Sequence, residues 1–354
     1  LVKKFAERSS YFGWKQRASI GNRLLKSIFA AGAIYRLKCH GVFLGHNVYQ
    51  TRAIAAAALD ADKKLFLHAA FCLRRIYSFD TPPPPELLEQ DFITVLASIS
   101  DTDAELNFKN RFSSESTNLD ASDFWSRDRK FAQVPDRNNL VVIFLPVLRD
   151  SPFGWTSHNR PYFDYIEWLL AIYSHLKRRK IPFVIRCHPS SRAWGEDTPK
   201  ILNSYGVKEE ENLTWIDDST RFDPSALILN SHTTMSYKGS IAAESAALGK
   251  KSLVFERNSL TEYCPQLVTF VKSDTEFCHL IGKDRDQIPR ADRLLAMKLL
   301  LVREKFVGFG DRLGGQVQFA SRDKKSRRRH HEELKIKTKE NLEFLEDVGR
   351  TLFE

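Results

Sequence analysis

The sequence contains no run of about 18 apolar residues, the length a membrane-spanning helix requires. Its nearest approach, Ile28–Ile34, is short and flanked by Lys26 and Arg36, and no secretion signal can be read there. Cysteine is sparse. Cys39, Cys72, Cys187, Cys264 and Cys278 are scattered, odd in number and without CxxC spacing, which excludes a disulfide framework or a zinc cluster and suits a reducing cytoplasm. They are expected to act as buried small hydrophobes. No repeat of solenoid period is visible. The glycines at Gly308, Gly310, Gly314 and Gly315 follow no strand, so they do not form a dinucleotide-binding fingerprint. The chain opens on Leu1 rather than Met, so a natural start upstream is expected.

What is present is an ordinary globular composition, 42% hydrophobic and 28% charged over 354 residues, enough for two lobes with a cleft between them. The net charge of +10 calls for a partner or a solvated face. Much of it sits in Arg322, Lys324, Lys325, Arg327, Arg328 and Arg329. That run has no interleaved aromatics to stack bases, which argues against nucleic acid. A solvated helix face and an anionic membrane surface remain the competing readings.

Apolar patterning divides the chain into two αβ stretches around a polar section. In the first, Gly41–Gly45 reads as a short strand, Tyr49–Leu59 as an alanine-rich helix and Lys64–His68 as the next strand, the order of a helix-covered parallel sheet. Pro82–Pro85 is a stiff break, and residues 101–136 read as a polar connector. In the second stretch, Leu140–Leu145 is a strand buried on both faces, Tyr162–Lys177 a helix, and Pro182–Cys187 a second buried strand. Strands over Leu213–Ile216, Ala226–Leu229 and Ser252–Glu256 follow, with a helix over Lys200–Tyr205 and another over Ser240–Leu248. This alternation predicts a doubly wound α/β fold, and Ala291–Glu354 reads as a helical tail.

Ligands of open parallel sheets bind beyond the carboxyl ends of the strands. Polar residues follow the apolar runs at Arg149-Asp150-Ser151, Arg186-Cys187-His188-Pro189-Ser190, Asp217-Asp218-Ser219 and Asn230–Thr234. The richest anion site is Ser231 to Glu244. Ser231, Thr233, Thr234, Ser236 and Ser240 supply hydroxyls, Lys238 a cation, and Gly239-Ser240 opens a small-residue helix whose free N–H groups suit a phosphate. Glu244 has the chemistry to accept two ribose hydroxyls. An ordinary capped helix is the plain alternative. His188, held extended by Pro189, can donate to a phosphate oxygen or protonate it as it leaves. Asp150 suits a general base or nucleophile, with a turn or cap bond as its structural alternative. In the first stretch His46, Asn47 and Tyr49 occupy a strand end and suit acceptor or sugar contacts, or simple turn chemistry. Asp101-Thr102-Asp103 copies a metal-holding D-x-D pattern, a match common by chance, and no metal ligand set is assigned.

The stretches Val142–Asp150, Phe163–Leu169 and Ile185–Ser190, then Thr233-Thr234 and Gly239–Lys250, together resemble bacterial capsule and surface-polysaccharide glycosyltransferases. The His-Pro pair followed by a hydroxyl-rich motif is similar to β-Kdo transferases and bacterial sialyltransferases, which use CMP-activated acidic sugars. The resemblance covers residues 140–256 well, the first stretch around Gly41–Phe71 weakly, and the tail not at all. It implies a GT-B-like fold with two Rossmann-type lobes, no metal and no cofactor. It also implies that His188, Thr233, Thr234 and Ser236 hold the CMP phosphate, with Arg186, Pro189, Ser190, Ser231, Lys238, Gly239, Ser240 and Glu244 completing the donor site. Asp150 matches the strand-end aspartate that acts on the sugar in the retaining β-Kdo enzymes. A clear acidic-acidic-glycine motif, a sialyltransferase feature, is missing.

The resulting expectation has an acceptor lobe over residues 1–135, a donor lobe over 136–290 and a basic helical tail over 291–354. The expected reaction moves Kdo or a related acidic sugar from CMP to a glycan or glycolipid, in the cytoplasm and peripherally at the inner membrane face. A UDP-hexose transferase, a CDP-glycerol-type glycerophosphotransferase and a non-catalytic nucleotide- or glycan-binding assembly protein are the alternatives.

Overall fold

The computed structural model describes residues 14–39, 41–44, 49–69, 72–76, 89–113, 130–148, 161–162, 164–192, 195–210, 213–256, 264–281, 283 and 288–305. The chain divides into two compact units: Lys26–Ser78 with Pro83–Val95, and Leu96–Glu304 with Leu1–Leu25 and Phe79–Pro82.

Helix α1 (Trp14–Arg36), which belongs to the smaller unit from Lys26 onward, contains Lys15, Arg17, Arg23, Lys26 and Arg36 and no acidic residue. Ser27 and Ile34 are buried, whereas Leu25, Ile28, Phe29 and Tyr35 are exposed. These apolar positions recur at helical spacing, so they form one outward stripe. Strand β1 (Gly41–Leu44), helix α2 (Tyr49–Asp60) and strand β2 (Lys64–Ala69) make a β-α-β unit with parallel strands. Ala55 and Ala58 are fully buried, small side chains that let α2 lie close on its strands. Strand β3 (Cys72–Ile76), not anticipated from the sequence, pairs antiparallel with β2. The sheet in this unit is thus a mixed, three-stranded one among the described residues, followed by helix α3 (Glu89–Ser98).

In the larger unit, helix α4 (Asp101–Arg111) stands where a polar connector was expected. Ser100 accepts the Asp103 N–H at 3.1 Å, Asp101 and Asp103 lie in the first turn and Lys109 and Arg111 in the last, matching the helix dipole. Its apolar face is small: Ala104 and Phe108 are buried.

Strand β4 (Val141–Phe144), helix α5 (Tyr165–Arg178), strand β5 (Phe183–Arg186), helix α6 (Thr198–Ser204) and strand β6 (Thr214–Asp217) follow. Helix α7 (Pro224–Asn230), strand β7 (Thr233–Ser236), helix α8 (Ile241–Ala247), strand β8 (Ser252–Val254) and strand β9 (Val268–Phe270) complete the sheet. Helices α9 (Asp274–Leu280) and α10 (Arg290–Lys305) close the described chain.

The six strands lie in the order β6-β5-β4-β7-β8-β9, every pair parallel. That is the 3-2-1-4-5-6 order of a doubly wound Rossmann-type sheet. Along β4 successive residues face opposite sides. Val141 and Ile143 pack with Trp168, Leu169, Ile172, Met235 and Tyr237, whereas Leu140, Val142 and Phe144 pack with Leu227 and Ile228. Both faces are therefore covered, which is why β4 reads as a continuous apolar run. The expected α/β class with a doubly wound parallel sheet is what the chain forms.

Two expectations around the fourth strand of this sheet are corrected. Ala226–Leu229 belongs to helix α7, not to a strand. Asp223 accepts the N–H groups of Ser225 at 2.7 Å and Ala226 at 3.3 Å, and Pro224 takes the first helical turn, so the cap-and-proline signal outweighs a four-residue apolar run. The strand is Thr233–Ser236, all four residues buried, where a hydroxyl-rich turn was expected.

Candidate functional site

Ligand crevices of such sheets open at the carboxyl edge, where the strand order reverses. Here the reversal lies between β4 and β7. In register, Phe144, Arg186, Asp217 and Ser236 lie at this edge, and the residues that follow them line it.

His188 comes two residues after β5. Its Nδ1 accepts the backbone N–H of Ser190 at 3.1 Å, which leaves the ring proton on Nε2. The loop is braced by Ser191 N–H donating to the His188 carbonyl at 3.1 Å. Ser191 Oγ and Thr198 Oγ1 both donate to Glu196 Oε1, at 3.2 and 2.7 Å, and Glu196 is buried. Cys187, His188, Ser191, Arg192, Glu196, Thr198, Asp218 and Ser219 line a pocket of about 400 Å³. Burial pushes the Cys187 thiol up to about 12, so it is not a nucleophile. Burial raises the Asp218 carboxyl, but hydrogen bonds from Thr220 and the charges of Arg192 and Arg221 outweigh it and hold it below the usual range.

Arg186, expected at the nucleotide, ends β5 buried against Asp217 at the end of β6. Asp217 also accepts the N–H groups of Arg221 at 2.9 Å and Phe222 at 3.3 Å. The Arg186 charge is thus balanced within the sheet.

On the other side of the reversal, β7 leads into Tyr237-Lys238-Gly239-Ser240 and α8. Gly239 has φ +141°, a conformation L side chains rarely adopt. Ser240 makes no side-chain cap; its hydroxyl lies 3.4 Å from Glu244 Oε1. Lys238 sits 3.9 Å from Glu256 and over the Tyr165 ring at 5.8 Å, so its ammonium is shared with the fold. Glu244 is bound by Arg111, whose Nε and Nη2 reach Oε1 at 3.1 and 2.7 Å. Arg111 was not anticipated; a capped α4 ending in a basic turn was its available signal.

The structure thus brings His188, Pro189, Ser190, Ser236, Lys238, Gly239, Ser240 and Glu244 to one edge, β5 and β7 being two strand spacings or about 10 Å apart. It does not bring Ser231 and Thr233 there. Ser231 ends α7, donating to the Ile228 carbonyl at 2.7 Å, and Thr233 pairs in register with Val141 at the start of β4, the opposite edge. Thr234 shares a hydrogen bond with Ser252 at 2.7 Å inside the sheet. The hydroxyls of Thr233 and Ser236 are buried without a hydrogen-bond partner among the described residues. Asp150, His46 and Asn47 lie outside the described residues, as do the basic run Arg322–Arg329 and the glycines at 308–315; Tyr49 begins α2. Asp101 of the D-x-D pattern pairs with Lys298 at 2.7 Å. Among the described residues, no group of three or more His, Cys, Asp or Glu could hold a metal ion.

No protein-family model matches the chain, and no curated protein matches it. Among solved structures it is similar to the β-Kdo 2,4 transferase KpsC of Thermosulfurimonas dismutans, with 13% identity over 73% of this chain and 79% of that one, at a TM-score of 0.38. It is also similar to the UDP-GlcNAc 2-epimerase of Methanocaldococcus jannaschii, with 11% identity over 79% of this chain and 80% of that one, at a TM-score of 0.34. The UDP-GlcNAc 2-epimerase of Neisseria meningitidis shares 16% identity over 77% of this chain and 78% of that one, at a TM-score of 0.30.

Proposed function

We propose that this chain is a GT-B glycosyltransferase that holds a nucleotide-activated sugar at the carboxyl edge of its six-stranded sheet. The observation that carries the reading is His188. Its tautomer is set by the Ser190 N–H, it lines a pocket of about 400 Å³, and it follows β5 at the carboxyl edge, one strand over from the β4–β7 reversal, the edge where such sheets take ligands. An Nε2–H donor there suits a phosphate oxygen in the ground state and a leaving phosphate in the transition state. Glycine at 239 lets the chain turn tightly across the same edge, and Glu244 supplies an acceptor for ribose hydroxyls. Asp150, which follows β4 in sequence, supplies the carboxylate that acts at the sugar carbon.

The donor is Kdo or a related acidic sugar carried by CMP, a choice that rests on the likeness of the His-Pro and Gly239–Lys250 segments to β-Kdo transferases. The acceptor is a glycan or glycolipid, met by His46, Asn47 and Tyr49 of the N-terminal lobe (residues 1–135), with 136–290 as the donor lobe and 291–354 as a basic tail. An anionic membrane surface is the second partner. The exposed Leu25, Ile28 and Phe29 on a helix without acidic residues support it, with Arg322–Arg329 as a further cationic element. No helix among the described residues is long and apolar enough to cross a membrane.

A thermal-shift panel of CMP, UDP, CDP and GDP, with and without EDTA, tests the donor, because a ligand of the folded state raises its stability by mass action. CMP is expected to stabilise the protein in EDTA. Stabilisation by UDP only with manganese would replace the CMP reading with a metal-dependent UDP-sugar enzyme, and no stabilisation at all would favour a non-catalytic role.

A further inference from the structure

We infer that Arg111 is a positioning residue that turns Glu244 into a reader of the ribose, so that the site discriminates ribonucleotides from their 2′-deoxy counterparts. The inference rests on the nucleotide-binding reading of the same edge and deepens it.

The two residues stand 133 positions apart in sequence, yet Arg111 is 4% exposed and Glu244 14%. The guanidinium reaches the same carboxylate oxygen, Oε1, through Nε at 3.1 Å and Nη2 at 2.7 Å. The Ser240 hydroxyl approaches that oxygen as well, at 3.4 Å. Oε2 accepts no hydrogen bond from the described residues. A carboxylate held in this way has one oxygen occupied and the other presented in a fixed direction, with its lone pairs available to a diol. Arg111 can fix it because α4 is itself fastened, by the Ser100 cap and by Asp101 to Lys298 on α10 at 2.7 Å. An arginine is needed for the task, since its planar fork delivers two donors from one rigid group, which a lysine cannot.

The recognition follows from hydrogen-bond accounting. A ribonucleotide gives Oε2 a 2′-hydroxyl donor; a 2′-deoxynucleotide leaves that oxygen desolvated and unpaired. Without Arg111, Glu244 swings between rotamers and the penalty disappears.

The test is calorimetric titration of the intact chain with CMP and with 2′-deoxy-CMP, and with the UMP pair, for wild type, Arg111→Met, Arg111→Lys and Glu244→Gln. Wild type is expected to favour the ribonucleotide by about tenfold, the loss typical of one unmatched polar contact. Arg111→Met is expected to bring the ratio close to one while nucleotide still binds, and Arg111→Lys to retain part of it. Should Arg111→Met fail to fold, Arg111→Lys and Glu244→Gln carry the same comparison. A merely structural Arg111 would weaken both nucleotides equally and leave the ratio at its wild-type value, which overturns the inference alone. Failure of wild type to bind either nucleotide overturns the underlying reading as well.

Discussion

Removing Asp217 from beneath Arg186 should be among the most damaging single changes in the sheet. The pair is buried at 4% and 0% exposure, and taking away one partner of a buried ion pair costs about 3–5 kcal/mol because the other charge is stranded. Asp217 also accepts two backbone N–H groups, from Arg221 and Phe222, which moves Asp217→Ala toward the upper end. For a unit of this size, about 2–4 °C of melting temperature follows each kcal/mol, so a fall of about 6–20 °C is expected. Thermal unfolding followed by circular dichroism and tryptophan fluorescence measures it. The double variant Arg186→Met with Asp217→Asn removes both charges at little change in volume and keeps an amide oxygen for the Arg221 and Phe222 N–H groups, and should recover most of the loss. A fall below about 3 °C in Asp217→Ala would refute the calculation made from these burial values. So would a stable Arg186→Met that has lost nucleotide binding, since Arg186 would then serve the ligand rather than the sheet.

Gly239→Ala places a side chain at φ +141° and should cost about 1–3 kcal/mol of stability, with nucleotide affinity falling in parallel; an unchanged melting temperature would show that the turn relaxes freely. Burial, with Arg179 and Arg178 beside it and Asp274 opposing, pushes the His175 imidazole below its usual range. The unfolded chain therefore takes up a proton that the folded chain resists. The corresponding stability is present above about pH 6.5 and is lost as pH falls below it. The urea midpoint should drop from pH 7 to pH 5, and His175→Gln should narrow that drop; an equal drop in both would count against the burial argument. Cys187 and Cys264, raised by burial to about 12 and about 11, should resist iodoacetamide at pH 8 until the protein unfolds, as peptide mapping of the alkylated sites would reveal.

How much the sequence discloses depends on whether a signal is local. β4 and β5 are legible because both faces are covered, so their apolar runs are unbroken, and His188-Pro189 follows directly from the end of one of them. α5 is legible because apolar residues recur at its turns between an Asp164 cap and a basic last turn. Around α7 two local signals conflict, and the Asp223-Pro224 start outweighs the apolar run that follows. α4 is hidden for another reason: its buried apolar surface amounts to Ala104 and Phe108, so composition alone reads as a connector. The Arg111–Glu244 and Arg186–Asp217 pairs join residues far apart in sequence, and only the folded chain brings them into register. The hydroxyls of Ser231 and Thr233 illustrate the same limit. Their composition suggests an anion site, but the strand boundary carries them to the opposite edge of the sheet from His188.

The central claim is that the carboxyl edge around His188 binds the nucleotide of an activated sugar. Calorimetric titration of CMP into wild type and His188→Ala, in EDTA and with circular dichroism confirming that the fold is retained, tests it most directly. Saturable binding to wild type that weakens about tenfold or more in His188→Ala, the loss of a charge-bearing contact, is the predicted result. Undiminished binding by His188→Ala, or no nucleotide binding by the wild-type protein, would contradict the account.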